Sequence, residues 1–428
     1  MFGTLLPSSL PSSSERPETG LCEENFVLVL LSAWNGEKHI SEQLESIRRQ
    51  QGKYRVKLLI RDDGSTDGTV QLLQDFCAKQ DERVTGVGTD TKTESDIGSD
   101  SDPDAGHASA LTQPEIHFSP SFMEGPNKGF IGSFFELLRI SESNAAWYAF
   151  SDQDDVWQPD KLDRAVSMLQ KAKEAHGEIP LLYASRLELV DGELHPIGYT
   201  RRANREPSFE NALVENIATG ATMVMNKAAR DLICEGLDRL ADMKSDKISD
   251  SKTDMKSGKK SESKPNTKSG KKSDSKTDMK SDKKGASKSD TKSASAESRK
   301  DILLHDWWCY LVVSAFGKVL FDPESHILYR QHGENSVGQK VGFLDRQKRR
   351  LARFRSRGNV CGISRQAALF CELHGKALSE RKRQILMRFL EKGRNGWSRL
   401  CYALWPDTVR QAWYDGLLMR ILILLGNL

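Results

Sequence analysis

Residues 26–79, FVLVLLSAWNGEKHISEQLESIRRQQGKYRVKLLIRDDGSTDGTVQLLQDFCAK, carry the same pattern twice. A continuous apolar run at 26–31 ends in small and polar residues at 32–37, which is how a parallel strand buried on both faces reads. The segment 39–50 follows, with Ile40, Leu44 and Ile47 at helical spacing and Ser41 placed to cap it. A second apolar run at 56–60 then passes into the acidic, Gly-rich turn 62–68, and 70–79 reads as another helix. Two strand-loop-helix units in succession predict a right-handed βαβ pair and an α/β fold with a parallel sheet. Ligands of such sheets bind beyond the carboxyl ends of the strands, which is where Trp34, Asp62 and Asp63 fall. The DDGSTDG stretch also has the composition of a plain turn, with Ser65 or Asp67 able to cap the next helix.

Further along, the apolar run 147–150 is followed at once by SDQDDVW, residues 151–157, which places Asp152, Asp154 and Asp155 within four positions. A strand ending in such a cluster points to a cation and to the anionic group that the cation holds. No GxGxxG follows the first strand and no GxxxxGK[ST] occurs, so a glycine cradle for a pyrophosphate is missing. Carboxylates with Mg²⁺ or Mn²⁺, which prefer hard oxygen ligands, are the main alternative.

Much of the 428-residue chain has no core-forming composition. Residues 241–300 are nearly all Lys, Ser, Asp, Thr and Gly, with SKTDMKS at 251–257 repeated at 275–281; such a segment is expected to be a disordered insertion. Residues 84–115 read as a lengthened, acidic surface loop, and 1–24 as a Ser/Pro-rich disordered tail unlike a signal peptide. The remaining blocks, 25–83, 116–240 and 301–339, total roughly 220 residues, a size suited to one α/β domain spanning 25–339. The last part, 340–428, holds 19 Lys plus Arg against 6 Asp plus Glu and is expected to be a basic, helical region. Net charge over the whole chain is only +3, because the rest of the chain is acidic. Seven cysteines are widely spaced with no CxxC pair, which favours a reducing, cytoplasmic compartment over a disulfide framework.

Six segments, in order, resemble the motifs of the inverting family 2 glycosyltransferases of GT-A fold, and most closely bacterial rhamnosyltransferase-type members. They are SAWNGEKHISEQLESI (32–47), IRDDGSTDGT (60–69), NKGF (127–130), FSDQDDVWQPDKL (150–162), NIATGATMVMN (216–226) and HDWW (305–308). The resemblance implies a Rossmann-like, mostly parallel sheet flanked by helices. It also implies transfer of a sugar from a nucleoside-diphosphate donor to a saccharide or lipid-linked acceptor, with inversion.

Residue by residue, the resemblance gives donor-nucleotide binding to Trp34, Glu37, Asp62, Asp63, Lys128 and Asp152. Trp34 would stack near the base, Asp63 would accept hydrogen bonds from base or ribose, and Asp152 would face the ribose. Asp154 would ligate Mg²⁺ or Mn²⁺ at the donor diphosphate, with His332 completing the metal shell, and Asp155 would support the loop or the sugar. Asp306 would be the general base; the alternative reading of Asp306 is a cap on the following helix. His305, Trp307 and Trp157 flank these positions, and Arg330 is placed to contact phosphate. Rhamnose as the donor sugar is suggested by the wording of HDWW and FSDQDDVW alone.

Two other classes stay open at this level: a GT-A-like protein that binds but does not turn over, and a sugar nucleotidyltransferase, whose usual Gly-rich opening is absent. The basic segment 346–357 and the aromatic and Leu/Ile-rich residues after it suit an interfacial helix on an anionic membrane. The expected location is therefore the inner face of the cell membrane, reached by peripheral contact. Nothing resembling a base-reading module accompanies the charge, so nucleic acid is not an expected partner.

Overall fold

The computed structural model describes residues 24–85, 118–257, 302–331 and 359–426. His332, the segment 346–357, the tail 1–23 and most of both polar insertions lie outside the described residues.

One sheet of nine strands organises the chain: β1 Glu24–Ala33, β2 Arg55–Asp62, β3 Phe118–Glu124, β4 Ala145–Ser151, β5 Val156–Trp157, β6 Leu181–Val190, β7 Pro196–Tyr199, β8 Val224–Asn226 and β9 Lys318–Arg330. Their order is β3-β2-β1-β4-β8-β6-β9-β5, with β7 hydrogen-bonded to β6. The long ladders, β1/β2, β1/β4, β2/β3 and β6/β9, are parallel. The short ones, β4/β8, β6/β8, β6/β7 and β5/β9, are antiparallel. The sheet is therefore mostly parallel, with β8 reversing direction at its middle.

Side-chain alternation puts Phe26, Leu28 and Leu30 of β1 into the core on one face and Val27, Val29 and Leu31 into the core on the other. That two-sided burial is why the run is continuous in the sequence; each such side chain contributes about 1.5–3 kcal/mol when fully buried. On the second face lie α1 (Ile40–Arg48) and α4 (Lys161–His176), through Ile40, Leu44, Ile47, Leu162, Val166 and Leu169. Helix α1 begins one residue before Ser41, after His39, and has no side-chain cap, so the expected Ser41 cap is not formed.

On the first face pack α3 (Gly129–Ile140), α6 (Lys227–Ser257) and α7 (His305–Phe316). Helix α2 (Thr69–Thr85) lies beside β3, and α5 (Phe209–Ala212) is a single turn. Helix α6 runs on to Ser257, well into the segment expected to be disordered from 241. Its first half is anchored by buried Ala229, Ile233, Leu237 and Leu240, and an existing helix extends at the cost of one residue per added hydrogen bond.

Four helices follow: α8 (Asn359–His374), α9 (Glu380–Glu391), α10 (Gly396–Leu404) and α11 (Trp413–Leu424). Phe370 of α8 meets Trp308 of α7 edge to face at 6.1 Å, and Phe370, Leu386, Phe389, Tyr402 and Ile423 belong to the same hydrophobic cluster as Phe26. The C-terminal helices are thus an extension of the sheet's own core.

Candidate active site

In the sheet order β2-β1-β4, the carboxyl ends of three neighbouring strands carry Asp62, Ala33 and Ser151, and the loops that leave them meet. The loop after β1 is tied to the loop after β2. Asn35 donates its N–H to Ser65 Oγ at 2.9 Å and accepts from Thr66 N–H at 2.8 Å, Gly36 N–H reaches Thr69 Oγ1 at 2.7 Å, and Glu37 Oε2 accepts from Gly68 N–H at 3.0 Å. It is tied equally to the loop after β4, because Gln153 accepts from Trp34 N–H at 2.7 Å and donates to the Trp34 carbonyl at 2.9 Å. This leaves the Trp34 indole 52 % exposed at the mouth. A flat ring offered to solvent by a doubly bonded backbone has the geometry that stacking requires.

Asp62 accepts from the N–H groups of Gly64 and Ser65, both at 2.9 Å, and from the Ser65 hydroxyl. Gly64 sits at φ +83°, a conformation that glycine adopts without strain. Asp62 therefore shapes the turn, as the turn reading of DDGSTDG has it. Asp63 is 2 % exposed and bridges the buried Arg61 guanidinium and the Lys128 N–H, the latter at 2.8 Å. Arg61 also reaches Ser133 Oγ at 3.0 Å and the Pro126 carbonyl at 2.8 Å. Asp63 and Arg61 thereby fix the NKGF loop. The Lys128 ammonium pairs with Glu136 at 2.9 Å along α3.

The loop after β4 is held from beneath by Arg330, the last residue of β9. Its N–H donates to Asp155 Oδ1 at 3.1 Å and its Nε to the Asp154 carbonyl at 2.9 Å; its two terminal nitrogens reach the Gly192 carbonyl and Glu42. With a guanidinium so engaged and 2 % exposed, Arg330 is not the phosphate contact that the sequence suggested. It is the pin of the acidic loop. Arg330→Met removes all three acceptors' donor, and we expect a loss of about 2–4 kcal/mol, read as a melting midpoint lower by roughly 5–10 °C. An unchanged midpoint would show that the loop holds itself.

Trp157 also departs from its expected place at the site. It is 2 % exposed, its N–H donates to Ser46 Oγ at 3.0 Å, and its ring carries the Lys161 ammonium 3.6 Å from its centre. Asp155 is similarly buried, consistent with a support of the loop.

Across the mouth, Asp306 lies in the first turn of α7, whose N-cap is Leu304. Its Oδ2 accepts from Gly220 N–H at 3.0 Å and its Oδ1 from Trp307 N–H at 2.6 Å. It is therefore not the cap residue, although it satisfies one N–H of the first turn. His305 stacks on Phe134 at 4.2 Å and meets Phe150 edge-on, and burial holds its pKa below the usual value against the pull of Asp306. A Cβ on Gly220 would stand 2.7 Å from His305 Nε2, so a glycine is required for this close approach. Trp307 donates its indole N–H to the Ala212 carbonyl at 2.7 Å and anchors α5 to α7 instead of facing the mouth.

Negative charge converges here. Burial, then Asp154, then Asp306, push Asp152 up to about 7, and burial with Asp154 and Asp152 raises Asp155 well above the usual carboxylate range. Tyr329, raised by burial, feels Asp152, Asp155, Asp154 and Asp306 alike, so one residue near the end of β9 lies within reach of all four carboxylates. The Asp155 Oδ2 is buried with no hydrogen-bond partner. A crowd of hard oxygen donors of like charge fits a divalent cation. Asp152, Asp154 and Asp155 do not converge as a closed cage; the three-residue grouping at ligand spacing among the described residues is Asp191, Glu193 and His195, on the β6–β7 turn. An open site fits Mg²⁺ or Mn²⁺ better than a cage, since these ions take one or two carboxylates and fill the remainder from substrate phosphates and water.

Sequence reasoning overlooked Arg61, Gln153, Gly220 and Tyr329. Arg61 alone left a signal, as a cation inside an otherwise apolar strand.

The chain is similar to known proteins. Residues 28–92 match Glycosyl transferase family 2. Over 325 residues, 74 % of this chain and 77 % of the relative, the sequence is 23 % identical to the dTDP-rhamnosyl transferase RfbG of Shigella flexneri. Among solved structures, S. aureus TarS 1–349 in complex with UDP-GlcNAc covers 93 % of this chain and 81 % of its own at 12 % identity and TM-score 0.41. The mannosyltransferase PcManGT from Pyrobaculum calidifontis, in complex with GDP-Man and Mn²⁺, covers 94 % and 85 % at 13 % identity and TM-score 0.32. The matched segment carries β1, β2 and the two loops at the mouth, and with the Shigella relative it supports a family 2 glycosyltransferase of GT-A fold, a nucleotide-sugar-dependent transferase.

Proposed function

We propose that the chain transfers rhamnose from a nucleoside-diphosphate donor, in the first instance dTDP-rhamnose, to a hydroxyl of a saccharide or lipid-linked acceptor, with inversion. The observation that carries this reading is the pairing of two carboxylate positions at one mouth: Asp152 beyond β4 and Asp306 at the start of α7 lie within electrostatic reach. The name of the Shigella relative supports the donor.

In this mechanism Trp34 stacks beside the nucleoside base, and Asp152 accepts a hydrogen bond from the ribose. The acceptor hydroxyl attacks the anomeric carbon from the face opposite the diphosphate, and Asp306 takes its proton. Hydrogen bonds from Gly220 and Trp307 hold the Asp306 carboxylate still, so that little reorganisation accompanies the attack. The bond to the acceptor oxygen forms as the bond to the diphosphate breaks, and the configuration inverts. When bound at Asp154, Mg²⁺ or Mn²⁺ supplies Lewis-acid stabilisation of the charge that builds on the departing diphosphate. The protein works at the inner face of the cell membrane as a peripheral protein.

The test is a screen of dTDP-, UDP- and GDP-sugars with Mg²⁺ or Mn²⁺ and an extract of saccharide acceptors, following free nucleoside diphosphate. We expect release above the water background with a dTDP-sugar. Donors that bind in calorimetry with none turned over would replace the transferase reading with a binding protein.

A further inference from the structure

Two neighbouring helices near the end of the described chain present apolar residues to solvent. On α10, Trp397, Leu400 and Leu404 are exposed at positions i, i+3 and i+7, while Tyr402 and Ala403 on the opposite side are buried. On α11, Trp413, Leu417, Ile421 and Leu424 are exposed at i, i+4, i+8 and i+11, while Met419, Leu422 and Ile423 are buried. Each stripe opens with a tryptophan, 73 % exposed at 397 and 78 % at 413, and Trp405 after α10 is 70 % exposed. The two helices pack on each other. Ordinary amphipathic helices turn polar residues outward; here both faces are apolar, which marks a surface that is covered in use.

The cover must match the charge as well. Residues 359–426 hold 11 Lys plus Arg against 5 Asp plus Glu. Neither outward stripe contains a carboxylate, Arg420 lies within that of α11, and Asp415 of the same helix is buried. Beside Trp413 opens a cleft of about 670 Å³ whose lining includes Arg201, Arg205, Gln411 and Tyr414. Arg201 leans on the Tyr414 ring at 5.2 Å, donates to its hydroxyl and lies 3.9 Å from the Asp415 carboxylate, while remaining half-exposed. Exposed Trp at the ends of Leu/Ile stripes, with arginines alongside, is the composition of a bilayer interface, where indoles sit at headgroup depth and guanidiniums meet phosphate. No helix of the described residues is long and apolar enough to cross a membrane.

We propose that the outward faces of α10 and α11 form the membrane-docking surface, lying in the headgroup region of an anionic bilayer with the Arg201/Arg205 cleft against lipid phosphate. This deepens, and its orientation rests on, the transferase reading above. The connector between the helices is clamped to residues 211–215: Asn211 Nδ2 donates to the Val409 carbonyl at 3.0 Å, Arg410 to the Val214 carbonyl at 2.9 Å, and Gln411 N–H to Glu215 at 2.7 Å. The same short segment holds Ala212, whose carbonyl accepts from Trp307 next to Asp306. Docking therefore sets the base-bearing wall of the mouth at a fixed position relative to the lipid surface, as delivery of a hydroxyl on a lipid-linked saccharide requires.

The full-length chain is sedimented with vesicles of phosphatidylcholine alone and with one-third phosphatidylglycerol. We expect binding to the anionic vesicles, weaker in 0.5 M salt, and a loss of at least about tenfold in Trp413→Ser/Leu417→Ser. Arg205→Gln and Arg420→Gln should each cost about fivefold. In all variants the melting midpoint and the affinity for dTDP, which report folding and the donor site, should stay as in the parent. Binding is read without turnover, so a failed donor screen leaves this test intact. A parent protein that remains in the supernatant with both vesicle types overturns the proposal, as do serine variants that bind as well as the parent. A parent dimer that the serine substitutions dissociate, without vesicle binding, would assign the face to a second copy of the chain.

Discussion

Asp306→Asn should lower kcat by about 10²–10⁴-fold, the range that a positioned general base contributes, while donor affinity changes little. Asparagine keeps the volume and can still accept from Gly220, but its amide cannot take a proton from the acceptor hydroxyl. One of its two termini is also a donor. The carboxylate now accepts two N–H groups, from Gly220 at 3.0 Å and Trp307 at 2.6 Å, so one of these contacts becomes donor against donor. A modest loss of stability, about 1 kcal/mol, accompanies the loss of turnover. Single-turnover kinetics with saturating donor separate the two, since the chemical step is read on folded enzyme. Unchanged single-turnover rates would remove Asp306 from the chemistry; a loss that tracks donor affinity would make it a binding residue.

How far the sequence could carry this reading depends on the range of the interactions involved. The β1/β2 pairing was legible because it rests on local patterns: a two-faced apolar run, a helix at 3.6-residue spacing, and a second run. The opening of the mouth beyond β1, β2 and β4 followed from the same topology, since the connections of a parallel sheet bring its strand ends to one edge. The roles of individual side chains were harder. Asp62 and Asp63 are adjacent in sequence and differ in partners, one bonded within its own turn and the other to Lys128, which is 65 positions away. Only the fold could separate them.

Arg330 and Trp157 show the opposite error. Both stand beside site motifs in the chain, and proximity in sequence suggested proximity to substrate. A strand reverses its side chains at each step, however, so Tyr329 lies within reach of the carboxylates while Arg330 packs beneath their loop. Trp157 belongs to β5, paired with β9, and turns into the core under α4. The C-terminal helices carried a different signal. Their composition was plainly basic and aromatic, but which faces of α10 and α11 are buried depends on α8 and α9, whose packing against α7 has no local signature.

Asp154→Ala should reduce kcat/KM by about 10²–10³-fold, comparable to the removal of one preorganised group that stabilises transition-state charge, and should raise the Mn²⁺ concentration for half-maximal activity at least about tenfold. The reason lies in the charges around the donor. A departing diphosphate needs positive charge nearby, and four of the cationic side chains around the mouth are committed elsewhere. Arg61 is bonded to Asp63, Lys128 to Glu136 and Arg330 to Glu42, while Lys161 is buried over Trp157. The side chains facing the mouth are instead acidic, and burial, followed by repulsion from Asp154 and Asp306, lifts Asp152 to about 7. Such a site repels a diphosphate unless a cation is shared between them. Asp154→Asn, which keeps an oxygen but loses the charge, should fall between parent and alanine variant. Chelation of the parent enzyme should abolish release of nucleoside diphosphate and added Mg²⁺ or Mn²⁺ should restore it. Full activity in excess chelator would refute the metal role of the cluster.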